Sequence, residues 1–433
     1  MNRRDRAWLV ALWGATFLLA ALFAWRTPAW QAPDEPAHYA YVATVAEQGH
    51  APRLVAACYN EGYKNALVSG NFQAEIDFDR FCYEGHQPPL FYALAAPLFA
   101  ATKGSLLALR LFSALIGALV PVVAWLIVRA LGGDRPLATA TAVWVALVPQ
   151  HLAMIGALNN DGLTFLLVAL AVWRMLRYLA APSRRNLLLM ALLVALCLIT
   201  KTLAWVALPL ALLTALLAER GRAMSESLAS ATRAATVIVA VAALFVLPWM
   251  ARNSMTYGGF DVMGLEQHDR IAVGQPRTAD ELAQRGLIGT VTNGTETIFN
   301  SFWGQFGWMK APLQPREYAV LALFSTVAWL GLFRWFWQRG WRREGMAGRG
   351  LLLCGLWIAL NAGLVFYYNL EFVQYQGRYL FPALTPIMLF MAIGLGAWLP
   401  RRWRPVPWAA LALLLLALDL LAIWQRLPGM SGF

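Results

Sequence analysis

Charge is scarce in this chain: Asp, Glu, Lys and Arg make up 13% of its 433 residues, about half the share of an ordinary soluble domain. With 60% hydrophobic residues and a mean hydropathy of +0.54, that scarcity excludes a soluble protein of this length. Cysteine is almost as rare. The four present form no CxxC and no His/Cys pair at metal-ligand spacing, which excludes a zinc-finger or dithiol framework. Lysine is confined to Lys64, Lys103, Lys201 and Lys310. No internal repeat or inverted half-symmetry is visible, which argues against a transporter. What fills the sequence instead is long apolar runs with twenty tryptophans and thirteen tyrosines, the residues of interfacial aromatic belts. The fold class is therefore an all-α polytopic membrane protein.

The net charge of +12 follows membrane topology rather than a nucleic-acid partner. Arg3, Arg4 and Arg6, then Arg174, Arg177, Arg184 and Arg185, then Arg339, Arg342 and Arg343, then Arg401, Arg402 and Arg404 all fall on one side of the expected spans. The lysines and most acids fall on the other. Such asymmetry puts the N-terminus in the cytoplasm. MNRRDR before an apolar run is also how a signal peptide begins, but no small-residue cleavage site follows, so the first helix is read as an uncleaved anchor. About eleven spans are expected, at 7–25, 106–130, 137–156, 163–180, 186–200, 203–218, 234–251, 317–337, 350–368, 380–398 and 407–424. They form one integral domain, 1–433, with two long outer segments, 26–104 and 252–316. In the second, Thr278 and Glu281 have capping-box spacing. The short proline-bearing run 85–99 is expected to lie at the interface. Cys58 and Cys82 share the first outer segment, where an oxidising compartment favours a disulfide; two free thiols are the alternative.

The stretch QAPDEPAH (31–38) directly follows the first span. Pro36 suits a helix start, which puts Asp34 and Glu35 at its N-terminus and His38 within a turn of both. Two carboxylates and an imidazole at a membrane surface point to proton transfer or metal binding, against an ordinary acidic cap as the plain alternative. His86, Asn159, Asn160, Asp161, Lys201, Gln374, Gln376 and Arg378 also map to outer helix ends, with Arg110 slightly inside. Each has a dull explanation: Arg110 snorkels, Lys201 tips a hairpin, Asp161 caps a helix, His86 sits in a loop, and Arg378 anchors a helix end. Their coincidence at one membrane face instead suits an outward cavity for a lipid-linked phosphate. The acidic run EIDFDR (75–80) reads as a solvated loop, and FWGQFGWMK (302–310) either as a wall toward substrate through Trp303, Phe306 and Trp308 or as an interfacial anchor.

PDEPAH, QPPLFY, NNDG, FWGQFGW and QGRYLFP, in this order, resemble a family of bacterial membrane proteins placed among the GT-C glycosyltransferases. Those enzymes take a sugar from a polyprenyl-phosphate carrier, and the likeness runs from the first helix to the tenth. It implies an inverting glycosyltransferase of the bacterial inner membrane, acting on the outer face on a glycan, lipid or protein acceptor. Alternatives are a glycan ligase with a polyprenyl-diphosphate donor, a lipid-carrier flippase or transporter, and a structural partner in envelope assembly. The resemblance makes Asp34 the general base or metal-holding acid, with Glu35 its companion and His38 an orienting group. Lys201 and Arg378 match the donor-phosphate ligands, with Arg110, His86, Gln87, Asn160, Asp161, Gln376 and Tyr379 around them. A divalent metal, Mg or Mn, stays open: the first stretch lacks the DxD of oligosaccharyltransferases, and no large soluble C-terminal domain follows.

Overall fold

The computed structural model describes residues 1–218, 224–339 and 346–431. Arg342 and Arg343 lie outside the described residues. Helices in chain order are α1 (Arg3–Arg26), α2 (Glu35–Gln48), α3 (Glu61–Ser69), α4 (Leu90–Thr102), α5 (Leu106–Gly117), α6 (Val120–Ala130), α7 (Arg135–Leu147), α8 (Pro149–Ile155) and α9 (Asp161–Ala180). Then come α10 (Arg184–Leu198), α11 (Ala207–Ala218), α12 (Met224–Tyr257), α13 (Leu265–Ile271), α14 (Thr278–Trp303), α15 (Pro315–Arg339), α16 (Met346–Tyr368), α17 (Leu384–Ala397) and α18 (Pro405–Leu421). A two-stranded antiparallel ribbon, β1 (Gln305–Phe306) with β2 (Ala311–Pro312), follows α14.

Among the described residues eight helices are long and apolar enough to cross a bilayer, and the bent pair α7–α8 would make nine. The two remaining expected spans form as α10 and α11. At 15 and 12 residues they reach only about 22 and 18 Å, short of the ~30 Å hydrocarbon core. The expected straight span 137–156 is broken by 63° between α7 and α8. The cause is Pro149, whose ring disfavours helical backbone at the preceding residue; Val148 accordingly adopts φ −70°, ψ 116°.

Burial separates inner from outer helices. The apolar window of α9 is 72% buried and that of Gly377–Ala397 is 83%, against 28% for α12 and 22% for α15. The first two are the axis on which the polar residues are mounted, and the last two offer apolar faces suited to lipid. Close helix contact comes from small residues: a Cβ on Gly394 of α17 would lie 1.9 Å from the Ala328 carbonyl of α15.

Segment 252–316 is laced to the chain before Arg378. Arg277 pairs with Glu371, the Thr278 amide bonds the Glu371 carbonyl, and the Ser301 hydroxyl accepts the Gly377 amide. This lacing displaces the expected capping box. Arg277 is the N-cap, Thr278 donates its hydroxyl to the Asn369 carbonyl, and Glu281 pairs with Arg285 and Asn293. The aromatic run also differs from both expectations. Trp303 and Phe306 are buried in the core, Phe306 against Phe23, while the Trp308 indole bonds the Trp30 carbonyl. Asp77 and Asp79 lie in an exposed loop as expected, with Asp77 paired to Arg80. Cys58 and Cys82 are joined by a disulfide.

Candidate active site

Asp34 is the turning point of segment 26–104. It caps α2 with a left-handed backbone, φ 65°, that few non-glycine residues adopt without compensation. Its compensation is two hydrogen bonds from distant elements. Arg378 Nη2 donates to Oδ2 at 2.6 Å, and the Tyr83 hydroxyl donates to Oδ1 at 3.0 Å. Arg378 sits in the 3₁₀ turn Gly377–Ala383 that leads into α17. That turn presses on α14 so closely that a Cβ on Gly377 would come within 2.3 Å of the Phe302 nitrogen. Tyr83 sits in the 3₁₀ turn Tyr83–His86, just before the proline pair.

A second ion pair stands beside the first. Lys201, between α10 and the turn Thr202–Val206, reaches Asp161 Oδ1 at 2.5 Å. Asp161 is the first residue of α9, and its amide donates to Asn159 Oδ1 at 2.9 Å. Asn160, the cap of α9, donates its amide to the Thr200 carbonyl and leaves its buried Oδ1 without a partner. His38 is buried and shares a 2.9 Å hydrogen bond between Nδ1 and the Tyr92 hydroxyl. His86 bonds the Tyr83 carbonyl through Nδ1 and faces His268 of α13, ring centres 4.4 Å apart. Gln87 carries a buried, unpartnered Oε1. Tyr379 stacks its ring 5.2 Å from the Arg378 guanidinium, and Gln376 donates its amide to Gln374.

Burial raises the proton affinity of Asp34, but the Arg378 charge overrides it and holds the carboxyl down to about 2. Burial, helped by the Lys201 charge, lowers His38 to about 3, so its imidazole is neutral. Lys201 is destabilised by burial, yet the Asp161 carboxylate outweighs this and raises its pKa. Glu84 goes the other way: burial first, and the Asp34 charge second, lift it to about 7.

Two expected site residues are engaged elsewhere. Glu35 and Arg110 pair with each other in the interior, 0% and 4% exposed. All five Arg110 N–H groups are used: on both Glu35 oxygens and on the carbonyls of Ala24, Thr27 and Pro28. Glu35 also accepts the Trp30 and Leu158 amides. Arg110 thus has no donor left for a phosphate, and Glu35 is a brace rather than a free acid. Tyr83, Glu84 and His268 went unremarked in the sequence, and Tyr92 entered only as the end of QPPLFY. Only the position of Tyr83 and Glu84, one glycine ahead of HQPP, signalled them.

Among the described residues no three of His, Cys, Asp and Glu gather where they could hold a metal ion. Asp34 and Asp161 each already give an oxygen to a cation. Among the described residues, a divalent ion held by protein side chains alone therefore has no ligand set.

The sequence model of the dolichyl-phosphate-mannose-protein mannosyltransferase family matches residues 86–250, less than half of the chain. No curated protein matches the chain. Among solved structures, the oligosaccharyltransferase of Archaeoglobus fulgidus in complex with zinc and sulfate is similar at TM-score 0.53 and 15% identity, over 96% of this chain and 52% of that one. Its apo form gives 0.54 at 13% identity, over 100% and 56%. ArnT from Cupriavidus metallidurans, bound to undecaprenyl phosphate, gives 0.55 at 14% identity, over 98% and 74%. The chain spans about half the length of the oligosaccharyltransferase. At such identities the likeness is one of architecture, and the protein is a multi-pass membrane protein with the GT-C fold.

Proposed function

We propose that this protein is an inverting glycosyltransferase of the bacterial inner membrane. It moves a hexosyl or pentosyl unit from a polyprenyl-phosphate carrier to a cell-envelope acceptor on the outer face. One observation carries this: two cations, Lys201 and Arg378, each fixed by its own acid, with donors to spare. Arg378 Nε is buried without a partner, and Lys201 has two N–H groups beyond the one on Asp161. A buried, unsatisfied guanidinium N–H is costly unless a ligand completes it, and a phosphate oxygen does so well. The undecaprenyl phosphate in the architecturally similar ArnT supports the carrier class. The skew of arginines toward the N-terminal side supports an outward-facing site.

The acceptor hydroxyl attacks the anomeric carbon from the face opposite the phosphate, and the configuration inverts. Negative charge grows on the departing phosphate oxygen, where Arg378 and Lys201 stabilise it without reorganising. Asp34 stays ionised at working pH. It aligns the hydroxyl and faces the positive charge that develops on the sugar.

The test is transfer of radiolabelled sugar from a panel of polyprenyl-phosphate monosaccharides in reconstituted vesicles, wild type against Asp34→Asn. Transfer by the wild type and a loss on the order of a hundred-fold in the variant are expected. No transfer from any such donor, or a loss of only a few-fold, would sink the proposal.

A further inference from the structure

Asp34 is poorly suited to receive a proton, since both its oxygens are bonded and Arg378 lies on one of them. The other acids of the region, Glu35 and Asp161, are likewise tied to cations. Glu84 differs. It lies half-buried in the Tyr83–His86 turn, next to the tyrosine that clasps Asp34, and its Oε2 is buried with no hydrogen-bond partner. We infer that Glu84, not Asp34, accepts the proton of the acceptor hydroxyl, a role that rests on the glycosyltransferase reading above.

The charges around Glu84 fit a base. Asp34, at the head of α2, repels its ionised form, while Lys201, Arg378 and, from α13, His268 attract it. His268 itself holds Asp269 at 3.1 Å. His38 of α2 stays neutral. The tyrosines outside the spans that Glu84 influences (Tyr41, Tyr83 and Tyr92) are all held protonated. The balance leaves Glu84 titrating at about 7. Two carboxylates with separated proton affinities allow two tasks: one stays ionised, and the other picks up and releases a proton near neutrality. In the step, the acceptor O–H bond breaks and its proton passes to Glu84. The freed electron pair forms the bond to the anomeric carbon. The carbon–oxygen bond to phosphate breaks, and its pair leaves with polyprenyl phosphate. Glu84 then returns the proton to outside water, and Asp34 is unchanged.

Two measurements test this. In the first, transfer from the donor that the wild type uses is followed between about pH 5 and 9. The wild-type rate should rise with pH and level off above about 7. Glu84→Gln should lose about 10²-fold or more and flatten that limb, Glu84→Asp should keep part of the rate, and undecaprenyl phosphate should still bind all three. In the second, infrared difference spectroscopy on the purified protein, with no donor, should find a carboxyl band titrating near 7. That band should be missing in Glu84→Gln and titrate lower in Asp34→Asn, where the repelling charge is gone. Wild-type transfer that persists within a few-fold in Glu84→Gln, or a Glu84 band that titrates below about 5, overturns the inference while leaving the glycosyltransferase reading intact. Absence of wild-type transfer from every donor overturns that reading, and Glu84's role with it.

Discussion

Glu35 and Arg110 hold each other through two parallel hydrogen bonds, Nε to Oε1 at 2.7 Å and Nη2 to Oε2 at 2.5 Å, away from solvent. Removing one partner strands the other charge in the interior. Arg110→Met is expected to cost about 3–5 kcal/mol of stability, and adding Glu35→Gln to recover part of it. Denaturation of both variants and the wild type in detergent micelles checks this. An Arg110→Met protein as stable as wild type would show that the Glu35–Arg110 contact does not hold the fold.

Arg378 offers a test of phosphate recognition rather than of folding. Arg378→Lys keeps the charge but loses the planar fork, so donor transfer should fall while some binding persists. Arg378→Ala should fall further, by about 10²–10³-fold in turnover. Steady-state rates against donor concentration separate the two, and equal activity in both variants would contradict a bidentate role.

The sequence was most readable where one residue type dictates its own setting. The apolar runs announced the helices, and the helix-end polar residues Asp34, His38, Asp161, Lys201 and Arg378 do converge. Partnership was not readable. Asp34 and Glu35 are adjacent, yet one meets Arg378 and the other Arg110, because the left-handed backbone at Asp34 sends the two side chains to different elements. Thr278 and Glu281 carried a capping pattern that tertiary partners, Asn369 and Asn293, took over. The break at Val148 was signalled by Pro149, but an apolar stretch long enough to span masked it. Glu84 resembled any loop acid, since only its burial beside Asp34 distinguishes it.

His38 gives a pH signature. Its imidazole is held down to about 3 in the fold and titrates near 6.5 when unfolded. Between these values the unfolded chain binds more protons, so stability rises with pH across that window and falls as acid is added. The wild type should therefore lose stability relative to His38→Gln on going from pH 7.5 to about pH 5, on the order of 1–2 kcal/mol. Paired unfolding curves at the two pH values measure it, and parallel curves would refute it.

The Cys58–Cys82 bridge closes a sequence separation of 24 residues in the segment that carries Tyr83 and Glu84. Replacing both cysteines by serine should cost about 2–4 kcal/mol. The Tyr83 hydrogen bond to Asp34 should loosen with it. Limited proteolysis of 50–90 with and without reductant reads this directly, and unchanged cleavage would show the segment to be held by packing alone.

The clasp between Asp34 and Arg378 joins residues 344 positions apart, whereas Glu35 and Arg110 are 75 apart. During synthesis at about 5–20 residues per second, the nearer pair becomes available within about 4–15 s and the farther one only after about 17–70 s. Any product that ends between Arg110 and Arg378 keeps its brace but has no mate for Asp34. The competence of the site thereby reports that synthesis has passed α16, and a chain stopped short of Arg378 is silent.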